Sequence, residues 1–132
     1  MIALDSSAII AILKKEQEAL TFAEIISEYD WIIGAPTAFE CFLVARNQGT
    51  EEDVRALDLI FSYPSGSVIN FGEEHFRIAR LAFDSFGKGQ DNSTKLNFGD
   101  CLSYAVAKVN RVPLLYKGND FTHTDIEPAY RL

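Results

Sequence analysis

Histidine and cysteine are scarce in this chain, with two residues of each among 132. Cys41 and Cys101 do not form the short Cys-x-x-Cys spacing that is typical of zinc sites. No histidine lies near either cysteine in the sequence, so a cysteine nucleophile activated by histidine has little support. We expect both cysteines to be reduced, partly buried, apolar side chains. His75 is expected to pack or to lie at the surface, whereas His123 is a secondary candidate for contact with a substrate.

Several functional motifs are absent. The chain has no G-x-G-x-x-G and no Walker A sequence, so dinucleotide-binding and P-loop functions lack support. The G-x-S-x-G elbow of α/β-hydrolases is also missing. The longest apolar run, residues 8–13, is far shorter than the roughly 20 residues that a membrane span requires. Because no cationic region precedes this run and Asp5 interrupts the start, we expect no signal peptide and a cytoplasmic protein.

Positive charge is in deficit. The chain has 12 Lys and Arg against 19 Asp and Glu, a net charge of −7. This balance argues against a general nucleic-acid binder, which usually presents a basic face. Divalent cations bound by several carboxylates would explain part of the excess, and so would a basic partner that covers an acidic site. The charge alone does not decide between these explanations.

Short apolar segments alternate with helical patterns along the chain. Strands are predicted at residues 1–4, 31–35, 67–71 and 112–116. Among the helical patterns, residues 16–28 are predicted to bury Leu20, Ala23, Ile25 and Ile26. The alternation predicts an α/β fold in which helices cover both faces of a parallel sheet. Since no repeat, low-complexity tract or boundary interrupts it, we expect residues 1–132 to form one domain.

Hydroxyl and acidic residues mark the predicted helix starts. Ser6 or Ser7 is expected to cap the first helix. Thr50 is followed three residues later by Asp53, which is the pattern of a capping box. Residues 87–95 contain two glycines and several small polar residues and are predicted to form a mobile loop. This loop either contacts a substrate or is a passive connector.

Four carboxylates occupy comparable places in this pattern. Asp100 precedes an apolar helical stripe, where a carboxylate alone would be interpreted as a capping residue. Asp5, Glu40 and Asp120 each follow the end of a predicted strand. Right-handed crossovers bring the carboxyl ends of parallel strands to one edge, where ligands bind. We therefore expect the four carboxylates to meet there.

Glu40 and Ser6 each allow a second interpretation as helix-capping residues. Glu40 follows Thr37 by three residues, so it is also a candidate for a capping box, and the two roles are not exclusive. Ser6 either orients water or a phosphate at the site or simply caps its helix.

Clustered carboxylates repel one another unless a cation or protons neutralise them. A site made only of oxygen ligands suits Mg²⁺ or Mn²⁺ rather than zinc. The chemistry that fits best is phosphodiester hydrolysis, because metal ions activate water and stabilise charge on the attacking and leaving oxygens.

Three segments, residues 2–8 (IALDSSA), 97–101 (NFGDC) and 116–126 (YKGNDFTHTDI), together resemble the PIN-domain ribonucleases, specifically the VapC-type toxins of bacterial toxin–antitoxin modules. The resemblance covers essentially the whole chain. It implies a PIN-like three-layer α/β/α fold with a central, mostly parallel sheet. It also implies an acidic metal site formed by Asp5, Glu40, Asp100 and Asp120, with Ser6 at the small hydroxyl position of the family.

The resemblance further implies a function. Such toxins are Mg²⁺- or Mn²⁺-dependent endoribonucleases that hydrolyse RNA, often transfer or ribosomal RNA, through a metal-activated water. They commonly form homodimers, and a cognate antitoxin blocks the site, often with a basic side chain. The resulting complex represses its own operon.

One departure from the family pattern concerns the predicted loop. Similar sequences often carry a basic segment with a His-Pro pair where this chain has residues 87–95, including Asp91. This departure leaves the RNA target open. Asp125 is acidic and close in sequence to Asp120, but we do not expect it to be a metal ligand. Two other functions remain as alternatives: a structure-specific DNA nuclease of the same superfamily, and a catalytically silent interaction module.

Overall fold

The computed structural model describes residues 1–89 and 94–131. Within these residues the sheet has four strands, β1 (Ile2–Leu4), β2 (Trp31–Gly34), β3 (Gly66–Ile69) and β4 (Leu114–Leu115). Their order is β3-β2-β1-β4, and all three pairings are parallel. In the centre, Ala3 of β1 pairs with Ile32 on one side and Leu114 on the other. The predicted parallel sheet is confirmed, with β3 at one edge.

Six helices are described on the two faces of this sheet: α1 (Ser6–Leu13), α2 (Ala19–Glu28), α3 (Ala35–Gln48), α4 (Glu51–Phe61), α5 (Glu73–Phe86) and α6 (Phe98–Asn110). Alternate residues along each strand point to opposite faces, so each face has its own core. Leu4 and Ile33 pack with α1 to α4, whereas Ala3 and Ile32 pack with α5 and α6. The three-layer α/β/α fold is therefore confirmed. None of the described helices has the length and apolarity needed to cross a membrane.

The predicted helix starts are confirmed in part. Thr50 and Asp53 form the expected capping box at α4. The cap of α1, however, is Asp5 rather than Ser6 or Ser7. The prediction for α3 was also wrong, since Gly34 is its N-cap and Thr37 is buried inside it. Pro36 in the first turn explains the early start, because its fixed φ suits a helical N-terminus.

The predicted buried face of α2 is partly wrong. Leu20 is 85% exposed and Ala23 is exposed, whereas Phe22 and Ile26 are buried. Phe22 packs edge-on against Tyr130, with ring centroids 5.9 Å apart, so the contact that orients this helix comes from the far end of the chain. The helix also begins at Ala19 instead of residue 16.

The base of the predicted loop after α5 is held by the main chain. Lys88 N–H donates to the Leu96 carbonyl at 2.8 Å, and Leu96 N–H donates to the Phe86 carbonyl at 2.9 Å. The predicted mobility of residues 87–95 stays a prediction, because residues 90–93, with Asp91, lie outside the described part of the chain.

Candidate metal centre

The segments that follow the carboxyl ends of β1 and β4 line a cavity of about 410 Å³. All five residues predicted for the site line it: Asp5, Ser6, Glu40, Asp100 and Asp120. They come from four separate segments of the chain, which are the end of β1, the second turn of α3, the first turn of α6 and the loop after β4. The structure therefore brings together every side chain that the sequence assigned to the site.

Asp5 is fixed by both its main chain and its side chain. Its N–H donates to the Leu115 carbonyl at 2.9 Å, which continues the pairing of β1 with β4. Its Oδ2 accepts hydrogen bonds from the Ser7 N–H at 3.0 Å and from the Ser7 hydroxyl at 2.6 Å. Asp5 is also buried, so its carboxylate is held rigidly at the floor of the cavity.

Asp100 both caps α6 and lines the cavity. Its N–H donates to Asn97 Oδ1 at 2.9 Å, and its Oδ2 accepts from the Asn97 N–H at 3.1 Å. The interpretation of Asp100 as a capping residue is therefore correct, and it does not exclude a second role. Its side chain also lies within hydrogen-bonding distance of the Asp120 carboxyl.

Glu40 reaches the cavity from the second turn of α3. Its carboxylate contacts the Ser6 hydroxyl through a hydrogen bond. A Cβ on Gly99 would lie 3.4 Å from Glu40 Oε1, so α6 approaches this carboxylate closely through a residue without a side chain. Phe39 and Leu43, the apolar neighbours of Glu40 on α3, are both exposed.

The environment favours protonation of two of these acids. Burial raises the pKa of Asp100 to about 7, and the charges of Asp5 and Asp120 act in the same direction, although the Asn97 N–H opposes them. Burial and the charge of Asp5 also raise the pKa of Glu40, against the Ser6 hydrogen bond. Negative charge thus accumulates in the cavity, and among the described residues none of the four carboxylates forms an ion pair with a basic side chain.

The donor chemistry fits a hard divalent cation, because every acidic ligand candidate offers carboxylate oxygen. Among the described residues, no group of three or more His, Cys, Asp or Glu side chains is arranged so that it could hold a metal ion as it stands. Mg²⁺ does not require such a group, since it usually keeps several waters and takes one or two carboxylates together with substrate phosphates.

Sequence reasoning missed two residues of this site. Ser7 was considered only as a helix cap, yet its hydroxyl donates to Asp5 and accepts from the Lys117 N–H at 2.9 Å. Lys117 is the one basic side chain that lines the cavity in the described part of the chain, and its Nζ lies 3.3 Å from Glu16 Oε2 and from Glu18 Oε1. The Asp-x-Ser spacing was a usable signal for Ser7, but no sequence pattern indicated Lys117.

Other candidates lie outside the acidic cavity. Asp125 accepts from the Tyr104 hydroxyl at 2.6 Å and pairs with Lys108 Nζ at 2.9 Å, so it ties the C-terminal segment to α6. His123 lines a neighbouring cavity of about 560 Å³ together with Lys95 and Asp120. Both cysteines are free and buried.

A larger cavity, of about 710 Å³, lies beside the acidic one between α5 and the start of α6. It is mostly apolar, with Phe76, Phe83 and Phe98 among its lining residues and Arg80 and Asp84 at its polar positions. This composition differs from that of the acidic cavity and is more typical of a contact with another apolar surface.

Comparison with known proteins identifies a family for this chain. The PIN domain family matches residues 2–127. Ribonuclease VapC28 of Mycobacterium tuberculosis is 42% identical over 127 residues, which cover 96% of each chain. Ribonuclease VapC42 of the same species is 34% identical, over 96% of this chain and 97% of the relative.

Solved structures of low sequence identity show the same fold. A toxin–antitoxin complex from Klebsiella pneumoniae has a TM-score of 0.73 at 17% identity, over 95% of this chain and 93% of that chain. The M. tuberculosis toxin VapC20, which cleaves the sarcin–ricin loop, has a TM-score of 0.71 at 15% identity and 96% coverage of both chains. The chain therefore belongs to the PIN-domain family and groups with the proteins named VapC ribonucleases.

Proposed function

We propose that this protein is the ribonuclease toxin of a toxin–antitoxin pair and that it hydrolyses RNA phosphodiester bonds with Mg²⁺ or Mn²⁺. The observation that carries the proposal is the convergence of four carboxylates, from four segments of the chain, on one open cavity. The names of the relatives at 42% and 34% identity support the same activity. We propose transfer or ribosomal RNA as the substrate class.

Each residue of the site has a role in this proposal. Asp5, Glu40, Asp100 and Asp120 would hold the cation, which would activate water and stabilise charge on the attacking and leaving oxygens. Ser6 holds the Glu40 carboxylate through its hydroxyl. Ser7 and Asn97 each donate to one oxygen of Asp5 and Asp100, and the other oxygen of each side chain would bind the cation.

The test is cleavage of total cellular RNA by the purified protein with Mg²⁺ or Mn²⁺. Asp100→Asn keeps the shape of the side chain and an oxygen that accepts from Asn97, but it removes the negative charge. We expect the wild type to produce discrete RNA fragments and Asp100→Asn to cleave at least about 100-fold more slowly. With EDTA the wild type should produce no fragments.

Asp53→Asn is the matched control, because Asp53 holds the same capping-box position on α4, away from the cavity. It should cleave like the wild type. Cleavage that survives both Asp100→Asn and EDTA would contradict the proposed mechanism. Preference for single-stranded or structured DNA over RNA would favour the DNA-nuclease alternative, and a protein that neither cleaves nor binds Mn²⁺ would favour the silent module.

We also propose two protein contacts. A cognate antitoxin with a basic side chain would cover the acidic cavity, which suits a chain with a net charge of −7. One structural neighbour, VapBC2 from Rickettsia felis, is a complex bound to a DNA fragment from its promoter, with a TM-score of 0.70 at 18% identity. A second copy of the chain would cover the apolar cavity beside α5, which gives a homodimer.

A further inference from the structure

A polar cavity of about 560 Å³, which we call the Lys95–His123 cavity, adjoins the metal centre. Asp120 lines both this cavity and the acidic one, so it forms part of the wall between them. The other lining residues each carry a hydrogen-bond donor on the side chain: Lys95, Asn119, Thr122 and His123. A chain-like substrate bound at the four carboxylates can therefore continue past Asp120 into a cavity that offers donors.

Main-chain hydrogen bonds hold Lys95 at this cavity. The N–H of the next residue, Leu96, donates to the Phe86 carbonyl at 2.9 Å, and its carbonyl accepts from the Lys88 N–H at 2.8 Å. Burial alternates along this segment, since Thr94 and Leu96 are buried and Lys95 between them is exposed. The Lys95 side chain therefore points away from the core, on a main chain that is anchored at the neighbouring residue.

Two consecutive turns fix the part of the wall that follows β4. The Thr122 N–H donates to the Asn119 carbonyl at 3.1 Å, and the Thr124 N–H donates to the Phe121 carbonyl at 3.1 Å. Phe121 is buried, whereas Thr122 and His123 are exposed. The buried ring and the two turns therefore present the side chains of Thr122 and His123 at the surface.

The charge of Lys95 is not compensated in the described part of the chain. There, neither Lys95 nor His123 forms a side-chain hydrogen bond or an ion pair. Lys117, the basic side chain that lines the acidic cavity, is by contrast paired with Glu16 and Glu18 at 3.3 Å each. Of the two basic side chains that line these cavities, Lys95 is therefore the one that is available to an anion.

We propose that the Lys95–His123 cavity binds the RNA phosphate next to the one that is cleaved. The free oxygens of a phosphodiester accept hydrogen bonds and carry negative charge, so they match an ammonium group and neighbouring N–H and O–H donors. A chain with a net charge of −7 repels RNA at long range, so a local cation beside the metal centre favours binding there. The proposal rests on the proposed RNA-cleaving function for its substrate, but the binding can be tested without cleavage.

Binding is measured by fluorescence anisotropy of a short, labelled single-stranded RNA, with Mg²⁺ and at several KCl concentrations. Asp100→Asn serves as the parent protein, so that the RNA is not consumed. Adding Lys95→Gln should lower the affinity at least about tenfold, because a hydrogen bond between two charged groups is lost. The slope of log K against log salt should become shallower by about 0.7, the contribution of one phosphate contact on a single strand. Lys95→Arg, which keeps the charge, should keep the slope of the parent.

Lys88→Gln is the matched control, because Lys88 is exposed at the base of the same loop but lines neither cavity. It removes the same unit of charge and should keep the affinity and the salt dependence of the parent. Equal losses for Lys88→Gln and Lys95→Gln would reduce the effect to net charge and overturn the proposal. A parent protein that binds no RNA would overturn it as well.

His123→Ala tests the second wall of the cavity. In the same parent protein it should weaken RNA binding by about fivefold, because one neutral donor to the phosphate is lost. Unchanged affinity would overturn the assignment of His123 to the phosphate site.

Kinetics of the cleaving protein separate this proposal from the proposed function. Lys95→Gln in the otherwise unchanged protein should raise KM and leave kcat near that of the wild type, because the neighbouring phosphate is bound equally before and during the reaction. Cleavage with a KM that Lys95→Gln does not change would overturn the phosphate site alone. RNA binding that depends on Lys95, in a protein that cleaves no RNA, would support the site and contradict the function.

Discussion

At the scale of single residues, the same carboxylate serves the helix and the cavity. Asp5 caps α1 and Asp100 completes the capping box of α6, yet both also line the acidic cavity. Asp53 has the same capping position on α4 without any part in the site. A capping pattern and a ligand pattern therefore look identical in sequence, and only the neighbours that the fold supplies distinguish them.

The pKa of Asp100 leads to a prediction about pH. The folded protein raises this pKa from 3.8 to about 7, so the folded state holds the proton more tightly than the unfolded chain. The stabilising contribution of Asp100 is present at pH below about 4 and is lost as the pH rises towards about 7. We expect the thermal midpoint of the metal-free wild type to fall across this window relative to that of Asp100→Asn.

Calorimetry at several pH values checks this difference. Mn²⁺ should reduce it, because the cation compensates the charge that burial disfavours. Asp53→Asn, which caps α4 in the same way, should follow the wild type. Parallel curves for the wild type and Asp100→Asn would contradict the assigned direction of the pKa change.

At the scale of elements, the edge strand β3 depends on a close approach to β2. Gly66 pairs with Trp31, and a Cβ on Gly66 would lie 2.0 Å from Cζ2 of the buried indole. A glycine is therefore required at this position by packing and not by an unusual φ. The alternation of residues predicted a strand from residue 67. The observed strand begins one residue earlier, at Gly66, where the main chain pairs with Trp31.

Gly66→Ala is expected to destabilise the protein. The added methyl group overlaps the Trp31 ring, and overpacking of this kind costs about 1–3 kcal/mol. Chemical unfolding followed by circular dichroism measures the loss. Gly72→Ala is the control, because a Cβ at Gly72 meets no described atom within 4 Å, and its cost should stay below about 1 kcal/mol. An equal cost for the two variants would exclude the indole contact as the cause.

The sequence predicted some features of the helices correctly and others not. The capping box of α4 was predicted because local pattern and local hydrogen bonding agree there. The buried face of α2 was not, since Phe22 is turned inward by Tyr130, a residue more than a hundred positions away. Apolar residues occur on both sides of α2, so periodicity alone did not identify the packed side.

At the scale of the whole molecule, α5 presents apolar side chains to solvent. Phe76 is 53% exposed, Phe83 is 40% exposed and Phe98, beside them on α6, is 80% exposed. Arg80 lies over the Phe76 ring, and the described residues give neither Arg80 nor Asp84 an ion pair within the chain. Arg80 and Asp84 lie one helical turn apart on α5, so antiparallel α5 helices in the proposed homodimer would place Arg80 of each copy opposite Asp84 of the other.

This arrangement predicts a charge-reversal experiment. Arg80→Asp and Asp84→Arg should each weaken the proposed homodimer by at least about tenfold, or about 1.4 kcal/mol, because like charges then meet across the two-fold axis. The double variant should restore the dimer. Sedimentation velocity over a range of concentrations measures the equilibrium. Arg55→Asp, the same change on exposed α4, should leave it unaffected, and a double variant that stays monomeric would contradict the pairing.

The sequence by itself determined the alternation of strands and helices, the parallel sheet and the set of acids at its carboxyl edge. It did so because a buried strand, an amphipathic helix and a crossover each leave a local pattern, and together they decide which ends of the strands coincide. The contact of the Lys117 N–H with the Ser7 hydroxyl, the ion pairs of Lys117 and the raised pKa of Asp100 were decided only by the tertiary structure. Each of them depends on the distance between residues far apart in the chain or on the burial of a charged group. Neither the distance nor the burial can be derived from a local sequence pattern.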